Sequence, residues 1–161
     1  MRTELEAIRA VEQYADIIRR ICFLHLKNRS DTEDISQNVF LKYLLYSGAF
    51  ESAEHEKAWI IRVTVNACKD YLKSLWRHPT TPLEFISEEA LTISDEQGEV
   101  LHTVISLPPK YKDVIYLFYY EGYSAVEIAK ILGKNENTVY SLMGRGRALL
   151  KEKLGGDGLE Q

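Results

Sequence analysis

The sequence predicts an all-α protein: two small helical domains joined by a flexible acidic linker. Three observations carry that expectation. Apolar residues recur at helical spacing over most of the 161 residues, and no segment sustains strand alternation. Residues 107–154 carry a nearly complete set of helix start and stop signals. Residues 79–106 contain six acids and no Lys or Arg, between segments that are mildly basic. The expected division is therefore 1–78, a linker 79–106, 107–154 and a tail 155–161.

Each element follows in order. Leu5, Ile8, Val11, Tyr14, Ala15, Ile18, Ile21 and Cys22 recur at helical spacing and predict a helix from about Thr3 to Lys27. Ser30 and Asp31 read as the cap of a second helix, with Glu33 and Asp34 in its first turn, where the dipole favours anions. It runs to about Ser47 and breaks at Gly48. After the polar stretch FESAEHEK, a third helix runs from about Lys57 to Trp76, its end set by His78-Pro79. Residues 79–106 read as a tether with a short helix near Gln97–Ser106. Pro108 and Pro109 open the next helix, where a missing N–H costs nothing, and Gly122 ends it. Ser124 and Glu127 form an S-x-x-E capping box, and Gly133 stops the helix they start. Asn135 caps a last, longer helix. Two helices joined by a short turn with a glycine form a helix-turn-helix.

Composition and charge exclude several classes. No apolar run is long enough to span a bilayer. MRTELEAIRAVEQY has early acids and no apolar signal core, which predicts a cytoplasmic protein without a secretory leader. Cys22 and Cys68 have no metal-ligand spacing and are expected to stay thiols in a reducing cytosol; Cys22 with His25 is a lone C-x-x-H. No metal or cofactor is expected. The glycines at 144 and 146 do not follow a strand, His25, His55, His78 and His102 are scattered, and no nucleophile–base pair stands out, so an enzyme is not expected. The net charge of −4 divides into +1 for 1–78, −6 for 79–106, +3 for 107–154 and −2 for the tail. The acidity sits outside the two candidate domains.

Three helical faces carry candidate chemistry. On the last helix, Val139, Leu142, Met143, Gly146, Leu149, Leu150 and Leu154 fall on one side and predict core. Asn137, Tyr140, Ser141, Gly144 and Ala148 fall on the other, flanked by Arg145, Arg147 and Lys151. Small or hydrogen-bonding groups with cations at the margin suit base edges and phosphates. On the third helix Arg62, Asn66, Lys69, Lys73 and Arg77 line one side, with Ile60, Val63, Ala67, Tyr71 and Leu75 opposite. Trp59 lies at the edge of the polar stripe. That pattern suits phosphates and a stacked unpaired base, or else a solvated face with a Trp closing the core. On the second helix Glu33, Asp34, Gln37, Leu41 and Leu44 fall together while Ile35, Val39, Tyr43 and Tyr46 form another apolar strip, which points to a protein partner as well as a core.

The strings D-x-E-D-x-x-Q, A-W-I…N-x-x-x-D-Y-L and L-P-P…G-Y-S…E-I-A…L-G…T-V-x-S…R-x-R-A-L-L occur in one order over nearly the whole chain. In that order and spacing the chain resembles the extracytoplasmic-function sigma factors of the sigma-70 family. The resemblance implies a protein that recruits core RNA polymerase, through its beta-prime clamp and beta flap, to promoter DNA. It also implies a controlling anti-sigma factor. Asp31, Glu33, Asp34 and Gln37, with Leu41 beside them, match positions that meet the clamp. Phe50 to Glu56, including Glu51 and Ser52, matches the loop that captures a flipped minus-ten base. Trp59, Arg62, Asn66 and Lys69 match the helix beside the melted strand. Thr138, Tyr140, Ser141, Arg145 and Arg147 match major-groove and phosphate positions for the minus-thirty-five element.

The chain departs from that pattern in places. Tyr140 and Leu142 stand where basic residues are usual, Asn38 where a glutamate is common, and Gly144 and Gly146 soften the reading helix by about 1 kcal/mol each relative to Ala. Fewer cations imply a weaker phosphate grip and a shallower salt dependence. Gly144 alternatively permits close backbone approach to DNA. The linker acids Glu84, Glu88, Glu89, Asp95, Glu96 and Glu99 either imitate an anionic transcript or keep the tether soluble and extended. Two other functions stay open on the residues alone: a polymerase-independent helix-turn-helix regulator, and an adaptor without DNA contact.

Overall fold

The computed structural model describes the backbone of residues 1–77 and 95–155 and the side chains of 1–75 and 100–155. Among the described residues there are seven helices and no strand: α1 (Glu4–Leu26), α2 (Arg29–Leu45), α3 (Ala53–Arg77), α4 (Asp95–Ser106), α5 (Pro109–Tyr119), α6 (Ala125–Leu132) and α7 (Glu136–Lys153). They divide into two compact units, Met1–Ala90 and Leu91–Gln161.

The first unit is a three-helix bundle in which α1, α2 and α3 each pack on the other two. Thr3 and Glu6 form a capping box at the start of α1, and Lys27 closes it in the left-handed region, with φ 61°. The bundle core holds Tyr14, Ile18, Ile21, Cys22 and Leu24 of α1, Ile35, Val39 and Tyr43 of α2, and Ile60, Ile61, Val65 and Cys68 of α3. Two expectations are corrected, at the starts of α2 and α3, and part of the apolar series that marks α1 lies off its buried face. Leu5, Ile8 and Val11 are exposed, at 79%, 48% and 43%. Their three-residue steps fall about 60° short of a full turn, so the series walks off the face that Ala10, Tyr14, Ile17 and Ile21 bury. The cap of α2 is Asn28, not Ser30 and Asp31; its side chain accepts from the Asp31 N–H at 2.8 Å. α3 begins at Ala53 rather than Lys57, because Ser52 supplies a start signal: its hydroxyl accepts from the His55 N–H at 3.0 Å.

In the second unit α5 packs on α4, α6 and α7, and α6 also packs on α7. The punctuation read from sequence is present at each end: Pro at the α5 start, the Ser124–Glu127 capping box, Gly133 at φ 65° and Asn135 capping α7. Gly122, at φ 74°, lets the Tyr123 N–H return to the Leu117 carbonyl at 3.0 Å. The second unit starts earlier than the expected boundary at 107. α4 lies against α5 and α7, Val104 is buried, and Lys153 of α7 donates to the Ser106 hydroxyl at 3.2 Å. The short helix expected near Gln97–Ser106 is therefore present as α4, but it packs on the second unit instead of belonging to the tether. The rest of the expected linker, with Glu84, Glu88 and Glu89, lies outside the described residues, as do the side chains of Arg77, Asp95, Glu96 and Glu99.

Candidate nucleic-acid interface

α7 sorts its residues by face. Val139, Leu142, Met143, Gly146 and Leu150 are buried, with Leu149 and Leu154 half-buried. Asn137, Thr138, Tyr140, Ser141, Gly144, Arg145 and Arg147 are all exposed, Tyr140 at 57%. The helix thus presents one apolar face to α5 and α6, and one hydrogen-bonding face with arginines to solvent. The two glycines differ. A methyl group on Gly146 would meet the Ile115 side chain at 2.9 Å, so this glycine lets α7 approach α5 closely; one on Gly144 would meet nothing within 4 Å. Arg147 has a partner of its own. Its guanidinium carbon lies 5.4 Å from the Phe118 ring and 5.7 Å from that of Tyr119, which ties it to the end of α5 while it stays exposed.

In the first unit the polar side of α3 is open. Arg62, Asn66 and Lys73 are exposed and Lys69 is half-buried. Trp59 is half-buried and belongs to an aromatic cluster where α2 gives way to α3: its ring centroid lies 4.7 Å from Tyr46, 5.6 Å from Phe50 and 6.3 Å from Tyr43. This Trp closes the bundle end, as one of its two sequence readings expects, and it also borders the cationic stripe. Residues 46–52 between the helices are irregular and carry Phe50, Glu51 and Ser52. Glu51 and Ser52 are exposed; the Glu51 N–H donates to His55 Nδ1 at 3.0 Å.

One residue matched to this loop does not belong to its surface. Glu56 is 6% exposed and forms a hub beneath it. Its carboxylate accepts from Tyr14 at 2.8 Å, from Tyr43 at 3.0 Å, and from Arg9 Nη2 at 3.1 and 3.0 Å. Burial pushes the Glu56 carboxyl up, but hydrogen bonds from Tyr14, Tyr43 and Arg9, with the Arg9 charge, outweigh it and hold the group below the usual carboxylate range. Glu56 stands four residues before buried Ile60, on the same helix face, and that position was the available signal. Arg9 carried no such mark.

The candidate partner face on α2 divides likewise. Asp34, Gln37 and Leu41 are exposed along one stripe, Leu41 at 52%. Asp31 is engaged inside the unit, accepting from Asn28 Nδ2 at 2.7 Å and from the Tyr71 hydroxyl. Burial, reinforced by that bond, pushes the Tyr71 phenol up to about 12. Glu33 pairs with Arg19 of α1 at 3.3 Å, both side chains about half exposed, a pairing of little energetic weight. Among the described residues, no cluster of three or more His, Cys, Asp or Glu is placed to hold a metal, and no helix is long and apolar enough to cross a membrane.

A helical bundle with a cationic α3 and a separate helix-turn-helix unit, in this order, define a two-part architecture that known families share. The family description Sigma-70 region 2 matches residues 10–78, and Sigma-70, region 4 matches residues 97–150. The sigma factor SigV of Bacillus subtilis is 30% identical over 140 residues, covering 84% of this chain and 82% of the relative. The ECF sigma factor SigW of the same organism is 26% identical over 161 residues, covering 89% and 86%. SigM of Mycobacterium tuberculosis, another ECF sigma factor, is 29% identical over 144 residues, covering 86% and 71%. Among solved structures, the sigma factor RpoE of Bartonella quintana, crystallised with the anti-sigma factor NepR, aligns with TM-score 0.76 at 19% identity, covering 92% of this chain and 96% of that one. CnrH, solved with the cytosolic domain of CnrY, gives 0.71 at 22%, covering 97% and 92%. The chain belongs to the extracytoplasmic-function sigma factors of the sigma-70 family. The region-4 match starts at 97 and includes α4, in accord with the packing of that helix.

Proposed function

We propose that the chain holds core RNA polymerase through the α2 stripe of Asp34, Gln37 and Leu41, and reads two promoter elements with its two units. Loop 46–52 takes a flipped minus-ten base, with Trp59 and the cations of α3 along the melted strand. α7 enters the major groove at the minus-thirty-five element, with Asn137, Thr138, Tyr140 and Ser141 toward base edges and Arg145 toward phosphate. Extruding a base costs a few kcal/mol, and stacking on an aromatic ring returns about 1–3 kcal/mol, so capture in a shaped site tips a duplex open without hydrolysis. In this reading the protein is not an enzyme and needs no cofactor.

The observation that carries this reading is the sorting of α7: the positions proposed to read bases are solvent-exposed while the intervening apolar positions are buried. The structural neighbours bound to NepR and CnrY support an anti-sigma partner here as well. Run-off transcription with purified core polymerase over a randomised promoter library tests the whole reading. The expected result is polymerase-dependent transcripts from templates enriched in two spaced motifs. Absence of transcripts, with operator binding by the free protein and no co-elution with core polymerase, overturns it in favour of a polymerase-independent regulator.

A further inference from the structure

Loop 46–52 lies between two helices and has no regular structure, so its shape depends on what grips it. Glu56 holds Tyr43 from within the bundle. The other grip comes from Arg2, ahead of α1 and far from the loop in sequence. The Arg2 N–H donates to the Leu44 carbonyl at 3.0 Å, at the end of α2. Its Nη2 donates to the Gly48 carbonyl, inside the loop, at 2.8 Å. Its guanidinium carbon lies 4.7 Å from the Tyr43 centroid and 4.8 Å from that of Phe50, nearly equidistant from two rings whose planes differ by 1°. Gly48 completes the arrangement, because a methyl group there would run into the folded-back Tyr46 ring. Arg2 Nε is buried and has no hydrogen-bond acceptor among the described residues. Leaving a buried donor unpaired is unfavourable, and here it accompanies a group that binds three parts of the loop region at once.

We propose that Arg2 is a positioning residue for minus-ten base discrimination: it fixes the Gly48 carbonyl and the Phe50 ring before the base arrives. The proposal rests on the reading that loop 46–52 takes that base. A loop ordered beforehand discriminates because little ordering entropy is lost on binding, and a wrong base meets a shape that does not adapt. Arg suits the position better than Lys, since its planar fork donates to a carbonyl while its face lies on aromatic rings.

The test uses full-length protein assembled with core polymerase and fork-junction promoter fragments carrying one unpaired minus-ten base. The readout is the affinity ratio between the preferred base and each alternative. Misfolded protein weakens both templates equally, so general loss of stability leaves the ratio unmoved. Arg2→Ala is expected to lower the ratio by about tenfold, on the order of what the side-chain hydrogen bond to Gly48 and the contacts with the two rings supply together. Affinity for core polymerase and for a fragment bearing only the minus-thirty-five element stays unchanged, and Arg2→Lys recovers part of the ratio. If Arg2→Ala does not assemble with polymerase, Arg2→Gln carries the same test. A ratio within twofold of wild type for these variants, while Phe50→Ala collapses it, overturns the role of Arg2 and leaves the loop reading intact. A ratio insensitive to Phe50→Ala as well overturns the loop reading, and the Arg2 proposal with it.

Discussion

At the scale of single residues, Glu56 is a buried carboxylate that three side chains of the first unit converge on. It brings Arg9, Tyr14 and Tyr43 to one carboxylate under the aromatic cluster. Its carboxyl sits below the usual range, so ionised Glu56 contributes stability that is fully present above the unfolded-state value near 4.3. That contribution is lost as pH falls through the lowered folded value. Thermal melting at several pH values should show this limb below about pH 4.3 in wild type and a flatter one in Glu56→Gln, which at neutral pH should be less stable by about 1–3 kcal/mol. Equal acid limbs in the two proteins would mean that Glu56 titrates alike folded and unfolded. The glycines of α7 give a second comparison. Gly146→Ala should destabilise the second unit by about 1–3 kcal/mol, because its methyl meets Ile115 at 2.9 Å in a packed interface. Gly144→Ala meets nothing and should stabilise it by about 1 kcal/mol. If Gly144→Ala also weakens promoter binding despite the added stability, close backbone approach to DNA is the reason for that glycine.

At the scale of helices, legibility followed the range of the interactions that decide each feature. The ends of α5, α6 and α7 were readable because caps act within three or four residues: Ser124 with Glu127, Gly133 and Asn135 each have their partner nearby. The faces of α7 were readable because periodicity is a property of one helix. What escaped depended on other elements. Leu5, Ile8 and Val11 satisfied a helical spacing, yet only the positions of α2 and α3 decide which side of α1 is buried. Arg2 and Arg9 look like ordinary surface cations until α2, the loop and α3 are brought to them. The candidate site was legible as three faces, but the support beneath the loop was not. The composition of the α7 face makes a prediction at this scale. Tyr140 is 57% exposed on the outer side, where an arginine would add a cation to the face without disturbing the core. Tyr140→Arg should tighten binding of the polymerase complex to promoter DNA and steepen the slope of log affinity against log salt by about 1. An unchanged slope would place residue 140 away from the phosphate backbone.

For the whole chain, the question is what continuity between the units contributes. Each unit has its own apolar core, and the residues between them carry acids without cations. Cutting within 78–94 should therefore leave two folded pieces, observable as retained helicity and cooperative melting of each. If both units act on one promoter, joining them makes the second contact intramolecular, and the cut should lower run-off transcription by about a hundredfold at equal concentration, with recovery as one piece is added in excess. Equal activity of cut and intact protein would show that polymerase alone supplies the alignment. Charge is a separate variable and needs its own variant. Replacing Glu84, Glu88, Glu89, Asp95, Glu96 and Glu99 with their amides keeps the chain whole while removing the −6 of residues 79–106, half of it from the start of α4. Transcript mimicry by the linker requires this variant to change polymerase affinity or the pattern of short abortive products while promoter choice stays the same, because the faces of α3 and α7 proposed to read DNA are untouched. A neutralised linker that behaves as wild type, beside a cut chain that fails, would assign the segment to tethering and its acids to solubility.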